Sequence, residues 1–188
     1  MSYKSFLQYY YDHEQIPLTD IQLQSILNDT TRNVVVYHTL NQIQNVNQLF
    51  GNRKSIILLH ENTRNAGHYC CLLKKEDANG YPYVEYWDPF ADNMESSIDK
   101  FKYEKFDYLT QIMNNSIEKG IIRYVVQNKK QFQTDRLKTQ TCGRWACFRI
   151  LHQDLDLEQF NKLLIPINKV MRYDVFITLL TDFNIRYN

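Results

Sequence analysis

The run 68–88, "HYCCLLKKEDANGYPYVEYWD", reads as two strands and the turn that joins them. "HYCCLLK" (68–74) and "YVEYWD" (83–88) are rich in aromatic and aliphatic residues, and "EDANGYP" between them holds Asn79-Gly80, a dipeptide that favours a tight hairpin. The midpoint of 68 and 88 is 78, beside that turn. An antiparallel pair closing there sets His68, at the start of one strand, beside Asp88, at the end of the other.

Outward from this hairpin, "NVVVYHTL" (33–40), "KSIILLH" (54–60) and "IIRYVVQN" (121–128) read as further strands. "PLTDIQLQSIL" (17–27) reads as a helix: Thr19 and Gln22 have capping-box spacing, and Ile21, Leu23, Ile26 and Leu27 form an apolar stripe. "NQIQNVNQLF" (41–50) is a short helix stopped by Gly51. Helical spacing through Phe101, Tyr108, Ile112 and Met113 predicts a helix in 96–120, with Gly120 as its stop. "CGRWACFRILHQDL" (142–155) predicts a helix with Trp145, Phe148, Ile150 and Leu151 facing inward, and two more follow at 156–164 and 173–183. This order predicts an α+β fold, a central mixed β-sheet flanked by helices. With no repeat and no Pro/Gly-rich linker, 1–188 reads as one domain.

The composition is that of a globular protein, 44% apolar and 23% charged. A net charge of +1 gives no global attraction to nucleic acid or membrane. The local exception is 129–149, where Lys129, Lys130, Arg136, Lys138, Arg144 and Arg149 face Asp135 alone. Such a run is ordinarily a solvated face; its functional reading is a weak DNA or activator-peptide contact. Four cysteines are too few for a disulfide scaffold, and "MSYKSFLQYYYDHEQ" lacks the apolar core of a secretory leader. No membrane-spanning run is present, which predicts a soluble protein in a reducing compartment.

Three short stretches hold the polar residues that could do chemistry: Gly67-His68-Tyr69, Tyr86-Trp87-Asp88-Pro89-Phe90 and Thr141-Cys142-Gly143. Singly, each has a bland reading: a structural histidine, a turn aspartate before proline, a small core cysteine. Jointly they supply a thiol, a histidine to pair with it and later protonate a leaving amine, and a carboxylate to orient that histidine. Cys142 falls where a helix begins, with Thr141 as candidate N-cap. The helix dipole and a charged His68 favour its thiolate. Gly143 allows a tight turn and close approach of a substrate backbone. The backbone N–H of Cys142 and a side-chain amide, Gln133 or Gln140, are the candidate oxyanion donors. Cys70, Cys71 and Cys147 read as packing residues, and the spacings hold no metal-ligand pattern or cofactor motif.

With His, Asp, Gln and Cys-Gly in that chain order, the sequence resembles the adenain-like cysteine proteases. That family comprises the adenovirus maturation protease and relatives in virophages, Maverick/Polinton elements and other large DNA viruses, with the SUMO-type proteases more distant. "GHY" is similar to the family's histidine segment with Tyr69 in place of the usual Trp, "YWDPF" to its carboxylate segment, and "TCGRW" to its nucleophile segment. The likeness spans about 55 to 155. It implies His68 as general base and acid, Asp88 as its orienting carboxylate and Cys142 as nucleophile. The family's oxyanion glutamine usually stands six or seven residues before the cysteine; here Gln133 stands nine before and Gln140 two before, and Gln133 is preferred because its loop can fold back to the helix start.

The resemblance implies a cofactor-free endopeptidase that cleaves virion precursor proteins after small residues, typically glycine, in the virion and infected-cell cytoplasm. The alternatives are a deubiquitinase or SUMO-type protease acting on host modifiers, and a non-catalytic virion or nucleic-acid interaction module.

Overall fold

The computed structural model describes residues 3–28, 34–63, 66–95, 106–134 and 139–182. A five-stranded mixed sheet lies between two layers of helices, as the α+β reading expects. Its strands are β1 (Val34–Val36), β2 (Ser55–Thr63), β3 (Ala66–Glu76), β4 (Pro82–Trp87) and β5 (Tyr124–Gln127), ordered as numbered. β2–β3 and β3–β4 are antiparallel; β1–β2 and β4–β5 are parallel.

Strand alternation divides the core in two. Ile56, Leu58, Cys70, Leu72, Val84 and Tyr86 face one cluster, closed by α3 (Val46–Phe50) and α4 (Tyr108–Glu118). Ile57, Cys71, Leu73 and Trp87 face the other, closed by α2 (Asp20–Ile26), α5 (Cys142–Leu151), α6 (Leu157–Leu164) and α7 (Tyr173–Leu180). Both members of the Cys70-Cys71 pair are packing residues, one on each face.

Most predicted elements form, shorter than the sequence suggests. The 33–40 strand keeps only Val34–Val36, because Tyr37–Gln42 turns into a 3₁₀ helix that buries Tyr37 and Leu40. That turn also separates α3 from the 41–50 run; Gly51 ends α3 at φ +56°. α2 has its capping box, but Ile21 is 78% exposed while Leu23 and Ile26 are buried. α4 begins only at Tyr108, capped by Asp107; Phe101 lies outside the described residues. Leu151, placed inward by the sequence, is 50% exposed because α5 ends there. An N-terminal helix, α1 (Tyr3–His13), was not anticipated.

The 77–81 turn pivots on Gly80 at φ +78°, with the Asp77 carboxylate accepting from the Asn79 and Tyr81 N–H groups. Gly67 meets a different requirement. A Cβ there would stand 2.4 Å from the His60 carbonyl oxygen and 2.6 Å from Leu59 Cδ1, on the neighbouring strand. We therefore expect Gly67→Ala to lower stability by about 1–3 kcal/mol, seen as an earlier urea midpoint; an unchanged midpoint would mean that β2 and β3 part at no cost.

Candidate active site

The β3–β4 ladder runs from Glu76↔Pro82 to Cys71↔Trp87, so its register is centred one residue beyond the sequence estimate. One further rung would set Asp88 against Cys70, not His68. His68 lies past the ladder's end, where β3 pairs only with β2 through His60↔His68. The side chains span this offset diagonally: His68 Nε2 and Asp88 Oδ2 are 2.6 Å apart, both residues buried.

Asp88 is held from several sides. Its Oδ1 accepts from the Phe90 N–H at 2.7 Å, closing a turn over Pro89. Asn128, at the end of β5, grips its backbone: the Asp88 N–H donates to Asn128 Oδ1 at 2.8 Å, and Asn128 Nδ2 donates to the Asp88 carbonyl at 2.7 Å. Sequence reasoning missed this residue; the available signal was an amide closing an apolar strand. The His68 ring packs between Phe90 and His60, at centroid distances of 5.2 and 6.4 Å.

Cys142 opens α5 and hydrogen-bonds with the His68 side chain. Burial, the largest single influence, disfavours the charged imidazole. The charge and hydrogen bond of Asp88, then those of Cys142, together outweigh it, and the His68 pKa is pushed up to about 10. His68 is thus an imidazolium at neutral pH, between the Asp88 carboxylate and the Cys142 sulfur. Burial pushes the Cys71 and Cys147 thiols up, and the Cys147 sulfur faces the Leu23 carbonyl at 3.6 Å. His38 does have a carboxylate, Glu61 at 2.5 Å, but in an exposed pair with no thiol.

Several expected roles change. Thr141 precedes α5 but does not cap it; its hydroxyl donates to Asp174 in a very short hydrogen bond. Gly143 lies inside the helix, where a Cβ would meet Leu23 Cδ2 at 2.9 Å and Tyr69 Cδ2 at 3.3 Å, so its smallness serves the packing of α2 and Tyr69. Tyr69 is fixed by a 2.7 Å bond from its hydroxyl to Asp20. Gln133 is buried, and its amide donates to the Thr139 carbonyl at 2.9 Å and hydroxyl at 3.1 Å. In this arrangement its amide braces the segment before Cys142. Gln140 is half-buried, its backbone N–H donating to the Glu14 carbonyl at 2.7 Å.

The basic run also loses members. Arg149 is fully buried against Glu85, and Arg144, 5% exposed, donates to the Thr181 carbonyl and hydroxyl. Lys130 stands over the Phe132 and Tyr173 rings. Lys129 is exposed, and Arg136 and Lys138 lie outside the described residues.

Among the described residues no group of three His, Cys, Asp or Glu side chains could hold a metal, and no helix is long and apolar enough to cross a membrane.

No family model matches the chain. Among solved structures it is similar to ChlaDub1 from Chlamydia trachomatis, at a TM-score of 0.41 and 12% identity over 93% of this chain and 86% of that one. It is also similar to a de-sumoylating protease, at a TM-score of 0.35 and 12% identity over 97% and 82% of the two chains. In sequence it is 28% identical over 160 residues to Uncharacterized protein V9 of Sputnik virophage, across 83% of this chain and 86% of that protein.

Proposed function

We propose that this protein is a cysteine endopeptidase that processes virion precursor polypeptides, cutting after small residues. The observation that carries the reading is the buried relay Asp88–His68–Cys142, with His68 Nε2 2.6 Å from the carboxylate and the thiol at the first residue of a helix. The likeness to a virophage protein over most of both chains supports a viral context, and with it action in the virion and infected-cell cytoplasm.

In the proposed reaction the Cys142 thiolate, its proton already on His68, attacks the scissile carbonyl carbon, and the carbonyl oxygen takes the negative charge beside the first-turn N–H groups of α5. A side-chain amide, Gln133 once released from Thr139 or else Gln140, is the second donor. As the intermediate collapses, His68 gives its proton to the departing amine and a thioester remains on Cys142. Water then attacks the thioester; His68 takes its proton, the carbon–sulfur bond breaks, and the acid product leaves. Asp88 holds the ring through Nε2 and keeps it toward the sulfur. Cys142 and His68 are each 6% exposed, which fits a substrate whose residue before the cut is as slender as glycine.

The test is mass-spectrometric mapping of cut sites in co-produced virion proteins. With the wild type we expect cuts after small residues, all absent with Cys142→Ala; cuts that persist in the variant would overturn the reading. A ubiquitin-like probe with a C-terminal electrophile provides the second arm: efficient labelling at Cys142 without virion cuts would assign the site to host modifiers instead.

A further inference from the structure

Asp174, on α7, is fully buried and accepts from four donors on the elements that lead into Cys142. Oδ2 takes the Thr134 N–H at 2.9 Å and the Thr134 hydroxyl at 2.7 Å. Oδ1 takes the Thr141 hydroxyl, in the very short bond already noted, and the Trp145 indole N–H at 3.4 Å. One carboxylate therefore ties both ends of the 134–141 segment to the first turn of α5.

The Thr141 bond has a chemical consequence. A threonine at this position ordinarily turns its hydroxyl over the helix start and accepts from the second or third N–H. Here those groups belong to Gly143 and Arg144, beside the attacking sulfur. Thr141 instead has φ −95° and ψ 1°, away from the extended cap conformation of Thr19 or Asp156, and makes no side-chain cap. With the hydroxyl held on Asp174, Thr141 gives the first-turn N–H groups of α5 no side-chain acceptor.

We infer that Asp174 is a positioning residue that withdraws the Thr141 hydroxyl from the α5 N-terminus and so preserves its backbone donors for the oxyanion. This rests on the protease reading. Removing the carboxylate frees Thr141 to cap the helix and occupy the place of the substrate oxygen, while the Cys142–His68 pair, which Asp174 does not touch, persists.

The experiment compares wild type, Asp174→Asn, Thr141→Val and the double variant. Each is assayed for hydrolysis of fluorogenic peptides with glycine before the cut and for alkylation of Cys142 by iodoacetamide, which needs the thiolate but no oxyanion hole. We expect Asp174→Asn to lower kcat by about 10²-fold with KM nearly unchanged, and to leave alkylation within about threefold. Thr141→Val, with no hydroxyl to cap the helix, should lose less. Added to Asp174→Asn it should restore about tenfold of the lost kcat. Parallel loss of alkylation and kcat, unchanged kcat in Asp174→Asn, or a double variant no better than Asp174→Asn overturns the inference while leaving the protease reading intact. A wild type that alkylates readily yet cleaves neither these peptides nor virion precursors removes both.

Discussion

His68→Ala should lower kcat/KM for peptide cleavage by about 10⁴-fold or more, because in the proposed reaction nucleophile activation and proton delivery to the leaving amine both depend on that ring. The same variant should slow iodoacetamide capture of Cys142 below neutral pH, where a neighbouring imidazolium matters most. A variant that keeps wild-type cleavage would exclude His68 from the chemistry. The wild-type pH profile carries an independent mark. With its pKa pushed up to about 10, His68 should stay charged through neutral pH, and the alkaline limb of kcat/KM should lie near that value. Asp88→Asn should move the limb toward neutrality, because after burial, which acts in the opposite sense, the Asp88 charge and hydrogen bond lead the influences on the ring. The linked effect on folding has a definite sign. A folded pKa raised from 6.5 to about 10 adds stability that is complete below the lower value and is lost as pH rises through the higher one.

The parts of the site legible in the sequence were those set by local pattern. Alternation and Asn79-Gly80 gave the hairpin, and "TCG" after a polar stretch gave the start of α5. The one-residue error in register follows from the turn, which centres on 79 once Gly80 adopts a positive φ and Asp77 pairs with Tyr81. The His68–Asp88 pair survived it because a diagonal contact bridges what a direct pair would have joined. What stayed hidden depends on contacts distant in sequence. Asp174 sits in "YDVFITLL", where a lone acid reads as a solvated helix residue, and only the packing of α7 on α5 gives it Thr134, Thr141 and Trp145. Asn128 finds Asp88 only through the parallel β4–β5 pairing. Arg144 and Arg149 were read as surface charge because burial of a guanidinium requires partners that local sequence does not reveal.

Arg149→Met should destabilise the fold by about 3–5 kcal/mol, the range for removing one partner of a buried ion pair. Nε donates to Glu85 Oε1 at 2.7 Å and Nη2 to Oε2 at 2.8 Å, while Nη1 and Nη2 also reach the His152 and Leu155 carbonyls at 2.5 and 2.7 Å. Lys75 Nζ, 3.3 Å from Glu85 Oε2, compensates only part of the carboxylate left behind. Adding Glu85→Leu should recover some of the loss, because the stranded charge is gone, but not all, because the His152 and Leu155 carbonyls lose the guanidinium and keep only the Leu155 N–H and Lys75 Nζ. Urea unfolding of the two single variants and the double would test this; strict additivity, or a single-variant loss below about 1 kcal/mol, would show that the pair is not an anchor. Its position gives it a bearing on catalysis. Cys142 and Arg149 are seven residues apart on one side of α5, roughly 10.5 Å along the helix; their partners Asp88, through His68, and Glu85 are three residues apart along β4 and its end, roughly 10 Å. Helix and strand therefore run antiparallel, pinned at two points of matching separation. Loosening the Glu85–Arg149 end should let α5 shift against the sheet, so residual cleavage by folded Arg149→Met at low temperature should fall below wild type even when corrected for the unfolded fraction.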